Sequence, residues 1–138
     1  MSDYMTLVRP IREQYRETQA IYLFGSYGTE DEWPSSDIDI GVLLPVDQAK
    51  KTDPWKWIEL SNILATASKK EKTDLVNLRQ VDTVFRKEII SADRRIYCAD
   101  ETAADEFEML TLSFYQQLQE ERKDIIEDAI RSGRFRHA

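Results

Sequence analysis

Apolar positions along the chain change their spacing several times, and each change predicts an element. From Met1 to Glu17, Tyr4, Leu7, Val8, Ile11 and Tyr15 recur at helical spacing, with Pro10 either kinking the helix or opening a new one. Ala20 to Phe24 is a short continuous apolar run, read as a buried strand ended by Gly25. Asp37 to Leu44 alternates, with Asp37 and Asp39 on one face and Ile38 and Ile40 on the other. Asp53-Pro54 starts a helix running to about Ala67, with Trp57, Ile58, Leu60, Ile63 and Leu64 offered to the core. Strand character returns over Thr73 to Leu78. Val81 to Ile90 is amphipathic and helical, and Arg95 to Cys98 suits an edge strand. From about Thr102 one long helix runs to near Arg131, ended by Gly133, with Phe107, Leu110, Leu112, Phe114 and Leu118 on a wide apolar arc. The order is helix, strand, strand, helix, strand, helix, strand, helix. It predicts a small α/β (α+β) fold, a mixed sheet flanked by helices, in one domain spanning 1–138.

Length and composition narrow the function classes. With 138 residues, 41% of them apolar, the chain buries a real core, so wholesale disorder is excluded. One cysteine, Cys98, excludes an internal disulfide framework and a cysteine zinc site. The one histidine, His137, leaves no Ser-His-Asp arrangement and no histidine-rich metal site. No apolar run approaches the roughly 18 residues of a membrane span, and Met1 to Tyr15 is too charged for a signal peptide. A cytoplasmic location is expected. With 19 basic against 26 acidic residues the net charge is −7. The cationic surplus by which passive nucleic-acid binders neutralise phosphates is missing, so no direct nucleic-acid binding is expected. Cys98 reads as a strand core residue. Lys69 to Lys72 and Arg131 to Arg136 read as solvated surface.

The candidate chemistry lies in three places. Gly25-Ser26 closes the first strand. Ten residues separate Ser26 from Asp37-Ile38-Asp39, which opens the second, and Asp74 sits in a third strand-like run. Strand residues two apart point the same way, so Asp37 and Asp39 set two carboxylates side by side. Their repulsion is relieved by a divalent cation, and Mg²⁺ takes one or two protein carboxylates together with substrate phosphates. A third carboxylate from a neighbouring strand, Asp74, would complete a two-metal site, with ions about 3.5–4 Å apart on either side of an in-line phosphoryl displacement. Gly25 lets backbone approach a phosphate, and Ser26 offers a hydroxyl and an amide. Each piece alone has a bland reading: a solvated strand face, a turn, a surface acid. Together they are far less expected by chance.

On Gly25, Ser26 and Ser36-Asp37-Ile38-Asp39-Ile40, the chain resembles the minimal nucleotidyltransferases of the DNA polymerase β-like superfamily. The likeness covers about residues 15 to 100 and includes Glu88 to Asp100, a helix leading to an Arg-x-Ile-Tyr strand. It implies a palm-like nucleotidyltransferase fold and maps the third metal carboxylate onto Asp74. Where many relatives carry an Ala-Arg-Gly-like segment after Gly-Ser, this chain has Tyr27-Gly28-Thr29-Glu30. A stand-alone chain of this length most resembles the MNT antitoxins paired with HEPN RNase toxins. That resemblance implies a protein adenylyltransferase: AMP passes from ATP to a tyrosine of the HEPN toxin, with two Mg²⁺ ions on Asp37, Asp39 and Asp74, and with Gly25 and Ser26 at the triphosphate. Two alternatives stand beside it, an antitoxin that acts by binding alone and a nucleotidyltransferase for a small molecule.

Overall fold

The computed structural model describes residues 4–33 and 37–132. Four strands, β1 (Ala20–Phe24), β2 (Ile38–Leu43), β3 (Thr73–Asn77) and β4 (Arg95–Cys98), form one mixed sheet in the order β3-β2-β1-β4. β1 pairs antiparallel with both β2 and β4, whereas β2 and β3 run parallel. The parallel pair needs a crossover, and the connection supplies two helices, α2 (Val46–Ala49) and α3 (Pro54–Ser68). The mixed sheet and its flanking helices agree with the expectation from sequence; α2 and a 3-10 turn at Leu78–Gln80 are additions to it.

Strand alternation splits the core in two. On one face Ile21, Leu23, Ile38, Ile40, Val42 and Leu75 meet Leu7, Val8 and Ile11 of α1 (Met5–Gln14) and Leu60 and Leu64 of α3. On the other, Tyr22, Leu43 and Val76 meet Ile89 and Ile90 of α4 (Thr83–Ser91) and Ala104 and Phe107 of α5 (Glu101–Ser132). α1 continues as one helix past Pro10, which sits mid-helix. The amide hydrogen bond lost there is outweighed by burial of Leu7, Val8 and Ile11, each worth about 1.5–3 kcal/mol.

The helix starts follow capping chemistry. Asp53 accepts the Trp55 amide at 2.9 Å with Pro54 in the first turn, Asp82 accepts the Phe85 amide at 2.8 Å, and Asp100 accepts the Ala103 amide at 3.0 Å. α3 ends at Lys69, whose φ of 59° places it in the left-handed region. Gly133, the expected end of α5, lies outside the described residues.

Two expectations about the core need correction. Ile58 and Ile63 are exposed, because α3 turns Leu60, Leu64, Ala65 and half-buried Trp57 inward. Trp57 is tied by its indole N–H to the Leu75 carbonyl at 3.0 Å. On α5, Phe107 is buried, but Leu110, Leu112, Phe114 and Leu118 are exposed. The helix is 32 residues long, about 48 Å, and only its first turns lie over the sheet.

Candidate active site

The site assembles at the end of the sheet where β1 gives way to the Gly25–Gly28 turn. In-register strand neighbours put their side chains on the same face. Phe24 pairs with Asp39, and Asp39 pairs with Asp74, so the three residues form a row across β1, β2 and β3. Phe24 anchors the row by packing edge-on against Phe85 of α4, with ring centroids 5.7 Å apart. Asp74 is exposed and Asp39 half-buried.

Gly25 lies directly against this row. Its φ is +73°, and a Cβ built there would sit 2.1 Å from the Asp39 Oδ2. Only glycine lets the turn close on that carboxylate. Gly28 has the same left-handed backbone, at φ +76°. Between them the Ser26 carbonyl accepts the Thr29 amide at 3.0 Å and the Thr29 hydroxyl at 2.6 Å, which closes a tight turn.

Asp37 lies one residue ahead of β2, which begins at Ile38, and it is exposed. Its charge still reaches Asp39. Burial first, then the charge of Asp74, then that of Asp37, push the Asp39 carboxyl up to about 6. Asp39 is therefore the focus of the three acids: burial and two like charges disfavour its ionised form.

Among the described residues no three His, Cys, Asp or Glu side chains are drawn together tightly enough to form a ready-made metal cage. The donor set nonetheless fits a hard divalent cation. It is all oxygen, it comes from adjacent strands, and its central carboxylate is destabilised by negative charge that a cation would relieve. Thus the structure brings Gly25, Asp39 and Asp74 together, with Asp37 at the rim and Ser26 in the adjoining turn.

A family model described as polymerase beta nucleotidyltransferase matches residues 8–102. The chain belongs to the polymerase beta nucleotidyltransferase family. Among individual proteins, this nucleotidyltransferase is 35% identical over 125 residues to the protein adenylyltransferase MntA of Shewanella oneidensis, a match covering 90% of this chain and 85% of that one. It superposes on a toxin–antitoxin crystal structure containing AMP-PNP with a TM-score of 0.77 and 32% identity, over 94% of this chain and 99% of the other. A structure of a tri-AMPylated Shewanella oneidensis HEPN toxin in complex with an MNT antitoxin matches with a TM-score of 0.70 and 32% identity, over 91% of this chain and 94% of the other.

Two basic residues around the turn take roles that the sequence reading did not assign to them. Lys70, expected as solvated surface, has a side chain only 9% exposed. It pairs with Glu32 at 2.8 Å and donates to the Trp33 carbonyl at 3.3 Å. Its ammonium also lies 5.8 Å from the Tyr27 ring centroid. Arg94 reaches the turn from just ahead of β4. The lysine run gave no signal that one member's side chain is largely covered, because the pairing spans 38 positions of sequence. Around Lys70 a cavity of about 550 Å³ opens, lined by Tyr27, Gly28, Glu32, Trp33, Ser68 and Lys69.

Proposed function

We propose that this nucleotidyltransferase is a protein adenylyltransferase antitoxin, which transfers AMP from ATP to a tyrosine of a cognate HEPN RNase toxin in the cytoplasm. The observation that carries the reading is the in-register Asp39–Asp74 pair with Gly25 closed against it, in a chain aligned with an adenylyltransferase over 90% of its length. Among the described residues no helix is long and apolar enough to cross a membrane, in keeping with that location.

Asp37, Asp39 and Asp74 would hold two Mg²⁺ ions. When bound, the ions neutralise the phosphate charge and favour the ionised form of the attacking hydroxyl. The residues of the chain do the rest. Asp39 holds the centre of the site, where it is fixed by its strand and by the Gly25 turn. Asp74, on the exposed end of the row, faces the incoming acceptor and takes the proton of the tyrosine hydroxyl, whose ordinary pKa is about 10. The tyrosine oxygen bonds to the α-phosphorus, the bond from that phosphorus to the bridging oxygen breaks, and pyrophosphate leaves. The Gly25–Ser26 backbone lies against the triphosphate.

The deciding experiment is intact-mass spectrometry of the toxin after incubation with this chain, ATP and Mg²⁺. A gain of one or more AMP units on tyrosine is expected. An unmodified toxin that is nevertheless inhibited and bound would establish neutralisation by binding alone.

A further inference from the structure

The Gly25–Gly28 turn needs an orienting force of its own, since its two left-handed glycines allow many backbone conformations. That force comes from Arg94, the residue just ahead of β4. The Arg94 backbone carbonyl accepts the Leu23 amide at 2.9 Å, which fixes Arg94 beside the end of β1. From there its guanidinium donates through Nη1 to the Gly25 carbonyl at 3.4 Å and through Nη2 to the Tyr27 carbonyl. A side chain at Gly28 would meet the same guanidinium, with Cβ 3.0 Å from Nη2.

A trans peptide unit points its N–H opposite to its C=O. Turning the Gly25 and Tyr27 carbonyls toward Arg94 therefore turns the Ser26 and Gly28 amides away from it. The Gly28 amide bears this out, for it donates to the Glu32 carboxylate at 3.2 Å. An anionic oxygen thus already sits on the outward face of the turn, next to the Lys70 ammonium. We propose that Arg94 is the positioning residue of the nucleotide loop: by clamping two carbonyls from behind, it presents the Ser26 and Gly28 amides to the nucleotide's phosphates and sets a fixed positive charge beneath them. The clamp rests on the adenylyltransferase reading and adds a residue to it. The segment following Gly25-Ser26 carries no arginine, so the guanidinium at this loop comes from the residue that precedes β4, about 70 residues later in the chain.

The test is Arg94→Ala, with Arg94→Lys beside it. ATP affinity is measured by calorimetry with Mg²⁺, and initial rates are followed against ATP concentration with the HEPN toxin as acceptor. Arg94→Ala is expected to raise both Kd and KM for ATP about tenfold or more, the loss of one or two charge-assisted contacts, with kcat changed less than about threefold. Arg94→Lys, which keeps the charge but reaches one carbonyl at a time, should fall between. Millimolar guanidinium ion should restore part of the affinity of Arg94→Ala. A folded Arg94→Ala with parental Kd and KM overturns the proposal. So does a loss that tracks the drop in melting temperature and is not rescued by guanidinium. If Arg94→Ala does not fold, the Kd of Arg94→Lys decides on the same scale. Failure of the parent chain to bind ATP at all is a separate result, and it overturns the adenylyltransferase reading itself.

Discussion

Asp39 and Asp74 stand directly opposite one another on the parallel strands β2 and β3, one carboxylate on each, at the same register position. Their repulsion is built into the sheet, because register cannot slip by one residue without sending Ile38, Ile40 and Leu75 out of the core. A fold that keeps two acids so placed, with a third one residue before the strand, keeps them at a cost that a cation removes.

Replacing Asp39 by Asn keeps the shape of the row and removes its central charge. AMP transfer is expected to fall at least about a hundredfold, the scale of losing a key electrostatic stabiliser. Toxin affinity should stay near parental, since a half-buried residue under the Gly25 turn is poorly placed for docking. Transfer rate and calorimetric affinity measured on the same variant check both halves. Transfer at the parental rate would remove Asp39 from the site.

The raised Asp39 carboxyl gives a pH signature in the metal-free protein. Folding raises this pKa from 3.8 to about 6, so between those values the native state binds more protons than the unfolded one. The associated stability is fully present below about pH 4 and lost as pH rises through about 6. Asp39→Asn should therefore stabilise the protein in chelator at pH 7 to 8, and the gain should fade toward pH 4. Urea melts of both proteins across that range would show it, and a gain independent of pH would contradict the shift.

Divalent metal should govern nucleotide binding. ATP affinity measured with Mg²⁺ or Mn²⁺ is expected to exceed that in EDTA by about tenfold or more, because the triphosphate would otherwise approach three uncompensated carboxylates. Equal affinity in both conditions would exclude the two-metal arrangement.

Gly25→Ala tests the contact between turn and strand. Its new methyl group would occupy the space of the Asp39 Oδ2, and a non-glycine residue at φ +73° adds about 1–2 kcal/mol of backbone strain. Transfer should drop at least about tenfold even where the variant is fully folded, because Asp39 must move aside. Rate and melting temperature measured together separate displacement from unfolding.

The two halves of α5 should respond differently to truncation. Phe107 is 5% exposed, and the Arg79 and Arg86 guanidinium groups lie 5.7 and 5.4 Å from its ring centroid. Phe107→Ala is expected to cost about 3–5 kcal/mol. Ile130, 65% exposed, should cost less than about 0.5 kcal/mol when cut to Ala. Denaturant titration of both variants provides the comparison.

What the sequence determined by itself is what short-range physics controls. Asp53-Pro54 caps and opens α3 through bonds made within two residues. The apolar run of β1 and the alternation of β2 carry their strand character in their own spacing, and Gly25-Ser26 followed by Asp37-Ile38-Asp39 places a turn and two acids at known positions. Tertiary structure decided the rest. Parallel pairing of β2 with β3 sets Asp39 against Asp74, although 34 positions separate them and nothing near either residue encodes the partner. The pairing of Lys70 with Glu32 and the grip of Arg94 on the Gly25–Gly28 turn likewise depend on contacts between distant loops. The apolar arc of α5 marks the residues able to be buried, but the sheet ends beneath the helix's first turns. Whether Leu112 or Phe114 is covered is therefore set by the reach of neighbouring elements, a quantity that periodicity along one helix does not contain.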